Sequence, residues 1–61
     1  MNMLCSEAKI GMRVSYKDYA NVIWTGIIIQ VTKDGQTSTV RWDADRKEES
    51  VSSYWLDEIK E

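Results

Sequence analysis

The run Val22-Ile23-Trp24-Thr25-Gly26-Ile27-Ile28-Ile29-Gln30-Val31, followed by Thr32-Lys33-Asp34-Gly35-Gln36, decides the fold. Seven of the first ten residues are β-branched, and such side chains fit a pleated strand better than a helix. The segment is apolar on both faces for part of its length, with Gly26 in its interior, where a glycine marks a bend or a close backbone approach. Asp34-Gly35 is the best hairpin signal in the chain. Downstream, Ser38–Asp43 is expected to return as a strand with Val40 and Trp42 on one face. Upstream, Ile10, Met12, Val14 and Tyr16 alternate with polar residues, a half-buried strand of period two. Lys17–Asn21 is a polar loop carrying Tyr19, and Ala44–Glu49 is a charged loop or hairpin tip. Ser50–Ser52 is a short strand centred on Val51, Ser53–Leu56 a tight helical turn, and Asp57–Lys60 a last short strand using Ile59. The pattern predicts one all-β domain over residues 10–61, five short strands with one helical turn before the last. Residues 1–9 are a tail or an extra strand.

The composition narrows the chemistry. The chain has 61 residues, 43% hydrophobic and 30% charged, an ordinary globular balance with room for one small core. No apolar run reaches the roughly 20 residues needed to span a bilayer, and the N-terminus lacks the basic start and long apolar stretch of a signal peptide. With no His, a Ser-His-Asp or Cys-His nucleophile system is excluded, and no Cys/His set exists for a structural zinc. The three glycines are far apart, so no phosphate-cradling loop is present. The expectation is a non-enzymatic protein without metal or cofactor. Cys5 is alone, and a free thiol suits the reducing cytoplasm. A domain this small, without disulfide or metal, is marginal by itself, so a homo-oligomer or a bound partner is expected.

The order Gly11-x-x-Val14, Trp24-x-Gly26-x-Ile28-x-x-Val31, Asp34-Gly35, Val40-x-Trp42-Asp43, Val51 and Leu56-x-x-Ile59 resembles the SH3-like small barrels of the Tudor, chromo-like and KOW group. The resemblance covers residues 10–60 and implies a five-stranded barrel whose first long strand bends at Gly26. One departure is that Asp43-Ala44-Asp45 is followed by Arg46-Lys47 where those barrels often carry a Gly, so the next hairpin is built differently. A remoter similarity, through Gly11-Met12-Arg13-Val14, Gly26-x-Ile28 and Val51-x-x-Tyr54, is to the plasmid-encoded dihydrofolate reductases. Those are oligomeric SH3-like enzymes whose pore is lined by a Val-Gln-Ile-Tyr run. Here Ser52 and Ser53 stand at the Gln and Ile, and Trp55 and Asp57 lie in a region where that family's pore uses lysines.

Three sets of residues are candidates for function. The Tudor-like layout implies a patch at one end of the barrel made of Tyr16, Tyr19, Trp24 and Trp42, with Asp43 and Asp45 at its rim. Aromatic faces with carboxylates nearby attract methylated ammonium groups. Trp42, alternating with Val40, also suits the core, and Tyr19 is the aromatic expected to be most exposed. Tyr54 and Trp55 extend the aromatic surface. A docking surface for a protein partner made of Tyr16, Tyr19, Trp24, Trp42, Asp43, Tyr54 and Trp55 is the leading reading, in a chain whose size suits a regulator or inhibitor, such as a phage or mobile-element accessory protein. Ile23, Ile27 and Ile29 form a second set. They face outward if Ile28 faces the core, giving a self-association stripe unless a bulge or Met1–Cys5 covers them. The third set, Lys9, Arg13, Lys17 and Arg41, is a basic stripe for a KOW-like nucleic-acid or chromatin-type binder. The net charge of -2 and a pI near 5.0 weigh against it.

Overall fold

A computed structural model describes residues 5–60. Strands β1 (Arg13–Lys17), β2 (Ile23–Val31), β3 (Thr37–Trp42), β4 (Glu48–Ser52) and β5 (Asp57–Glu58) form one antiparallel sheet in the order β4-β3-β2-β1-β5. A 3-10 turn, Ser53–Trp55, precedes β5, and another covers Cys5–Glu7. The all-β expectation with a helical turn before the last strand therefore holds. Residues 1–4 of the N-terminal tail, and with them most of the Met1–Cys5 cover considered for the isoleucines, lie outside the described residues.

The connection from β4 to β5 forces the sheet to curl. These strands lie at opposite edges, four inter-strand spacings apart, which in a flat sheet is about 19 Å. Only Ser53–Leu56 separate them, and three of the four residues are in the 3-10 turn, which advances roughly 2 Å per residue. The edges must therefore approach one another, and Leu56 crosses the gap. Val14, Ile28, Val40 and Leu56 are fully buried and Trp42 nearly so. One sheet has enclosed its own core, without a second layer. Ser53 ties the crossing down: its N–H donates to the Gln36 carbonyl at 2.9 Å, and its hydroxyl is 2.6 Å from that of Ser38, both buried.

Two local devices curve β2. Gly26 pairs with Val14 on β1 and Trp42 on β3. A Cβ there would strike the Arg41 carbonyl oxygen and the Val40 side chain, so β2 and β3 approach more closely than any other residue permits. Three residues later the β2–β3 register slips between Ile28 and Gln30, leaving Ile29 as the extra residue of a bulge. Before the bulge Trp24, Gly26 and Ile28 share the core face. After it Val31, paired with buried Ser38, packs against the core.

The hairpin after β2 forms at Asp34-Gly35. Asp34 Oδ1 accepts from the Thr32 hydroxyl at 2.8 Å and the Gln36 N–H at 3.0 Å, and Gly35 takes φ +76° in a buried position against the Cys5 carbonyl. The β3–β4 hairpin lacks a glycine, and Arg46 takes the left-handed conformation instead, at φ 61°. Asp45 stabilises the turn by accepting the Lys47 N–H at 3.0 Å. Because that turn is tight, β4 starts at Glu48 rather than Ser50, and the last two residues of the expected loop, Glu48 and Glu49, are strand. The first strand likewise starts at Arg13, and Ile10 is exposed in a turn.

Gly26→Ala should be among the costliest single-methyl additions in the chain. Overpacking of this kind costs about 1–3 kcal/mol, a large share of the stability of so small a core. A urea titration should show a marked fall in midpoint, and an unchanged midpoint would mean that β2 and β3 separate freely.

Candidate functional site

The curl leaves one end of the sheet's inner face lined by aromatic rings. Tyr16 and Trp24 are cross-strand partners on β1 and β2, and Trp42 comes from β3, where Gly26 opposite has no side chain. The Trp42 ring centroid lies 6.2 Å from that of Tyr16 and 6.3 Å from that of Trp24, the latter pair edge to face. Together with Asp45 and Glu49 they line a pocket of about 130 Å³. Trp42 is thus both core and pocket wall: its body is buried, while its indole N–H donates to Glu49 Oε1 at 3.2 Å. Glu49 reaches the inner face because it pairs with Val40, a core residue, two places before inward Val51.

Trp24 is fixed by the loop before it. Asp18 Oδ1 accepts the N–H groups of Ala20 at 2.9 Å and Val22 at 3.0 Å, while Oδ2 accepts the Trp24 indole N–H at 3.0 Å. The loop closes with the Asp18 N–H donating to the Val22 carbonyl at 3.0 Å and Asn21 at φ 62°, a conformation that Asn tolerates well. The Trp24 indole, then the backbone N–H of Val22 and, more weakly, of Ala20, hold the Asp18 carboxyl below its ordinary value of 3.8, against a smaller opposing effect of desolvation.

The other expected residues are distributed around this pocket. Tyr19 is fully exposed and lines a neighbouring cleft with Tyr16, Lys17, Asp18 and Trp55. Trp55 is 56% exposed and Tyr54 52%, and the two rings pack edge to face at 5.3 Å. Asp43 is absent from the lining of the aromatic pocket. It takes both Arg13 guanidinium nitrogens, at 3.0 and 2.9 Å, and the Thr25 hydroxyl at 2.8 Å. The Arg13 and Thr25 hydrogen bonds hold its carboxyl below the ordinary carboxylate value. Arg41 is likewise paired with Glu48, at 2.9 Å. Lys9 and Lys17 are exposed. The isoleucines do not form one continuous exposed stripe: Ile23 is exposed, Thr25 follows it, and Ile27 is half-buried, paired across strands with Arg13 and Arg41. Ile29 is half-buried at the bulge.

Two residues of the site were missed in the sequence. Glu49 falls in the expected charged loop Ala44–Glu49, although its spacing of two from Val51 marks it as inward-facing once the strand extends that far. Asp18 lies in the polar loop as expected, and its role there follows from the tendency of an Asp side chain to accept the N–H two residues on. Among the described residues no group of three or more His, Cys, Asp or Glu is placed to hold a metal ion, and no helix is long and apolar enough to cross a membrane. No protein-family model matches the chain, and no curated protein or solved structure matches it.

The lowered Asp18 value sets a direction for acid sensitivity. Its stabilising contribution is present above 3.8, the ordinary value, and is lost as pH falls through the lower folded value. The Trp24 indole N–H signal should hold its position from neutral pH down to about pH 4 and move only below that. Asp18→Ala should displace that signal at neutral pH. A signal already moving near pH 6, or one indifferent to Asp18→Ala, would show that the carboxylate does not hold the ring.

Proposed function

We propose that this chain is a small non-enzymatic binding module that docks a protein partner by accepting a cationic side chain into the Tyr16–Trp24–Trp42 pocket. The finer architectural reading that accompanies this is an SH3-like barrel of the Tudor-like kind, supported by the strand order, the bend at Gly26 and the 3-10 turn before β5. The observation that carries the functional reading is the convergence of three aromatic rings with the carboxylates of Asp45 and Glu49 around one pocket. Aromatic faces attract a positive charge through the ring quadrupole, worth about 0.5–2 kcal/mol for each well-placed contact. The carboxylates add a Coulomb attraction of the same sign. An N-methylated ammonium suits such a site because it sheds water more readily than a bare ammonium while keeping its charge.

Size favours a side chain over a free small molecule. The pocket is about 130 Å³, whereas small-molecule sites are typically 300–1,000 Å³. The nucleic-acid alternative is less well supported, since Arg13 and Arg41 already face Asp43 and Glu48. A phosphate would have to compete with those carboxylates.

Butyltrimethylammonium, titrated against the tryptophan indole N–H signals, tests the proposal. It should shift Trp24 and Trp42 with a millimolar Kd, since a few contacts of this size give about 4 kcal/mol. The uncharged analogue with a tert-butyl group in place of the trimethylammonium should bind at least about fivefold more weakly, and Glu49→Gln should weaken the cation about two- to fivefold. Trp24→Ala should abolish measurable binding. Equal shifts with charged and uncharged probes, or binding that survives Trp24→Ala in a folded protein, would overturn it.

A further inference from the structure

We infer that the same surface reads a partner segment at two points: a cationic residue in the Tyr16–Trp24–Trp42 pocket, and a large uncharged apolar residue two positions away along an extended chain, held between Tyr19 and Trp55. The inference rests on the cation-binding reading above and adds the second residue and its spacing.

The second point is a cleft of about 240 Å³ lined by Tyr16, Lys17, Asp18, Tyr19 and Trp55. Its two outer rings contribute little to the fold. Tyr19 is 104% exposed and Trp55 56%, whereas Trp42 is 5% exposed. Two large rings left in water beside a concavity are surface that a ligand can cover with a gain in free energy.

Charge distinguishes the two pockets. The first has Asp45 and Glu49 at its edge. In the second the only carboxylate is Asp18, and both its oxygens already accept N–H groups, from Ala20 and Val22 on one and Trp24 on the other. Lys17 adds a positive charge there. The first lining therefore carries two uncompensated carboxylates and favours a cation, whereas in the second Lys17 offsets Asp18, and a cleft without net charge accepts a neutral apolar side chain.

Geometry sets the spacing. Tyr16 is the one residue that both linings share, so the two clefts adjoin at Tyr16. In the arrangement we infer, one occupant packs on each side of Tyr16 at about 3.5–4.0 Å, which sets the two side chains roughly 7–8 Å apart. Alternate residues of an extended chain are about 6.6–7 Å apart and point to the same side. Positions i and i+2 fit, and adjacent positions, which face opposite ways, do not.

Short blocked peptides test the inference, each with trimethyllysine, a glycine spacer and then leucine, or glycine in place of leucine. A version with the leucine on the N-terminal side covers either chain direction. The three tryptophan indole N–H signals report the two pockets separately. One leucine peptide should bind about five- to tenfold tighter than the glycine peptide and should shift Trp55 as well as Trp24 and Trp42. Trp55→Ala should abolish that gain and leave the glycine peptide's affinity unchanged, and Tyr19→Ala should reduce the gain. Because both side chains are exposed, neither substitution touches the core. Equal affinity for leucine and glycine peptides, or a gain that survives both substitutions, would overturn the two-point surface while leaving the cation reading intact. If no peptide binds and butyltrimethylammonium is also silent, the cation reading falls and the two-point surface falls with it. Equal binding of an acetyllysine–glycine–leucine peptide would have the same consequence.

Discussion

A single five-stranded sheet has one face to bury and no other layer to bury it against. Everything else in this chain follows from how that is managed. The short crossing from β4 to β5 draws the two edges together, and the curvature this demands is concentrated in β2. Gly26 permits a backbone approach that no side chain would allow, and the bulge at Ile29 adds twist. Among the described residues the result is a buried core of Val14, Ile28, Val40, Trp42 and Leu56. So few side chains fill a curled sheet only if one of them is large, and Trp42 supplies that volume.

The aromatic pocket is a by-product of the same arrangement. Trp42 lies across from a glycine, which sets no side chain against it, and its ring packs near those of Tyr16 and Trp24. Each tryptophan then needs a partner for its N–H, since a half-buried indole donor left unpaired is costly. Asp18 serves Trp24 and Glu49 serves Trp42. Packing and hydrogen bonding thus bring carboxylates to the rings. The electrostatic character of the pocket comes from satisfying its own walls. On the outer face the opposite occurs: Arg13 and Arg41 meet Asp43 and Glu48 at exposed positions, where such pairs contribute little to stability but leave little unbalanced positive charge.

Much of this was legible in the residues. The β-branched run of β2, Asp34-Gly35, the alternation of Val40 with Trp42 and the turn before the last strand are local signals with local causes, and they were read correctly. Gly26 was recognisable as a bend because a glycine inside such a run has few other uses. The bulge was not fixed by the sequence alone. The segment Ile27-Ile28-Ile29 offers an apolar side chain at every position, so period-two alternation cannot say which residue is the extra one. That ambiguity is also why the outward isoleucines looked like one stripe. The pairing of Asp43 with Arg13 is not legible in the residues, because the two are thirty positions apart and nothing local points to the pair. Glu49 was hidden by its neighbours, since a run of charged residues reads as a loop until the Arg46 turn shows how tightly the chain reverses.

The division of the aromatic residues carries the last step. Three of the six are committed to the curl, where Tyr16, Trp24 and Trp42 are held by strand pairing and by one another. The other three, Tyr19, Tyr54 and Trp55, lie exposed on the loop after β1 and on the 3-10 turn. A marginal domain gains nothing for its own stability by leaving large rings in water, and it could reach the same fold with small polar residues at those positions. Two of the exposed rings, Tyr19 and Trp55, also lie beside the packed ones, since Tyr16 lines both clefts. A packed aromatic pocket with exposed rings next to it suits recognition of a side chain and its neighbour better than recognition of an isolated group. The fixed pocket supplies orientation at low entropic cost, and the exposed rings supply the additional apolar area that a pocket of this size lacks.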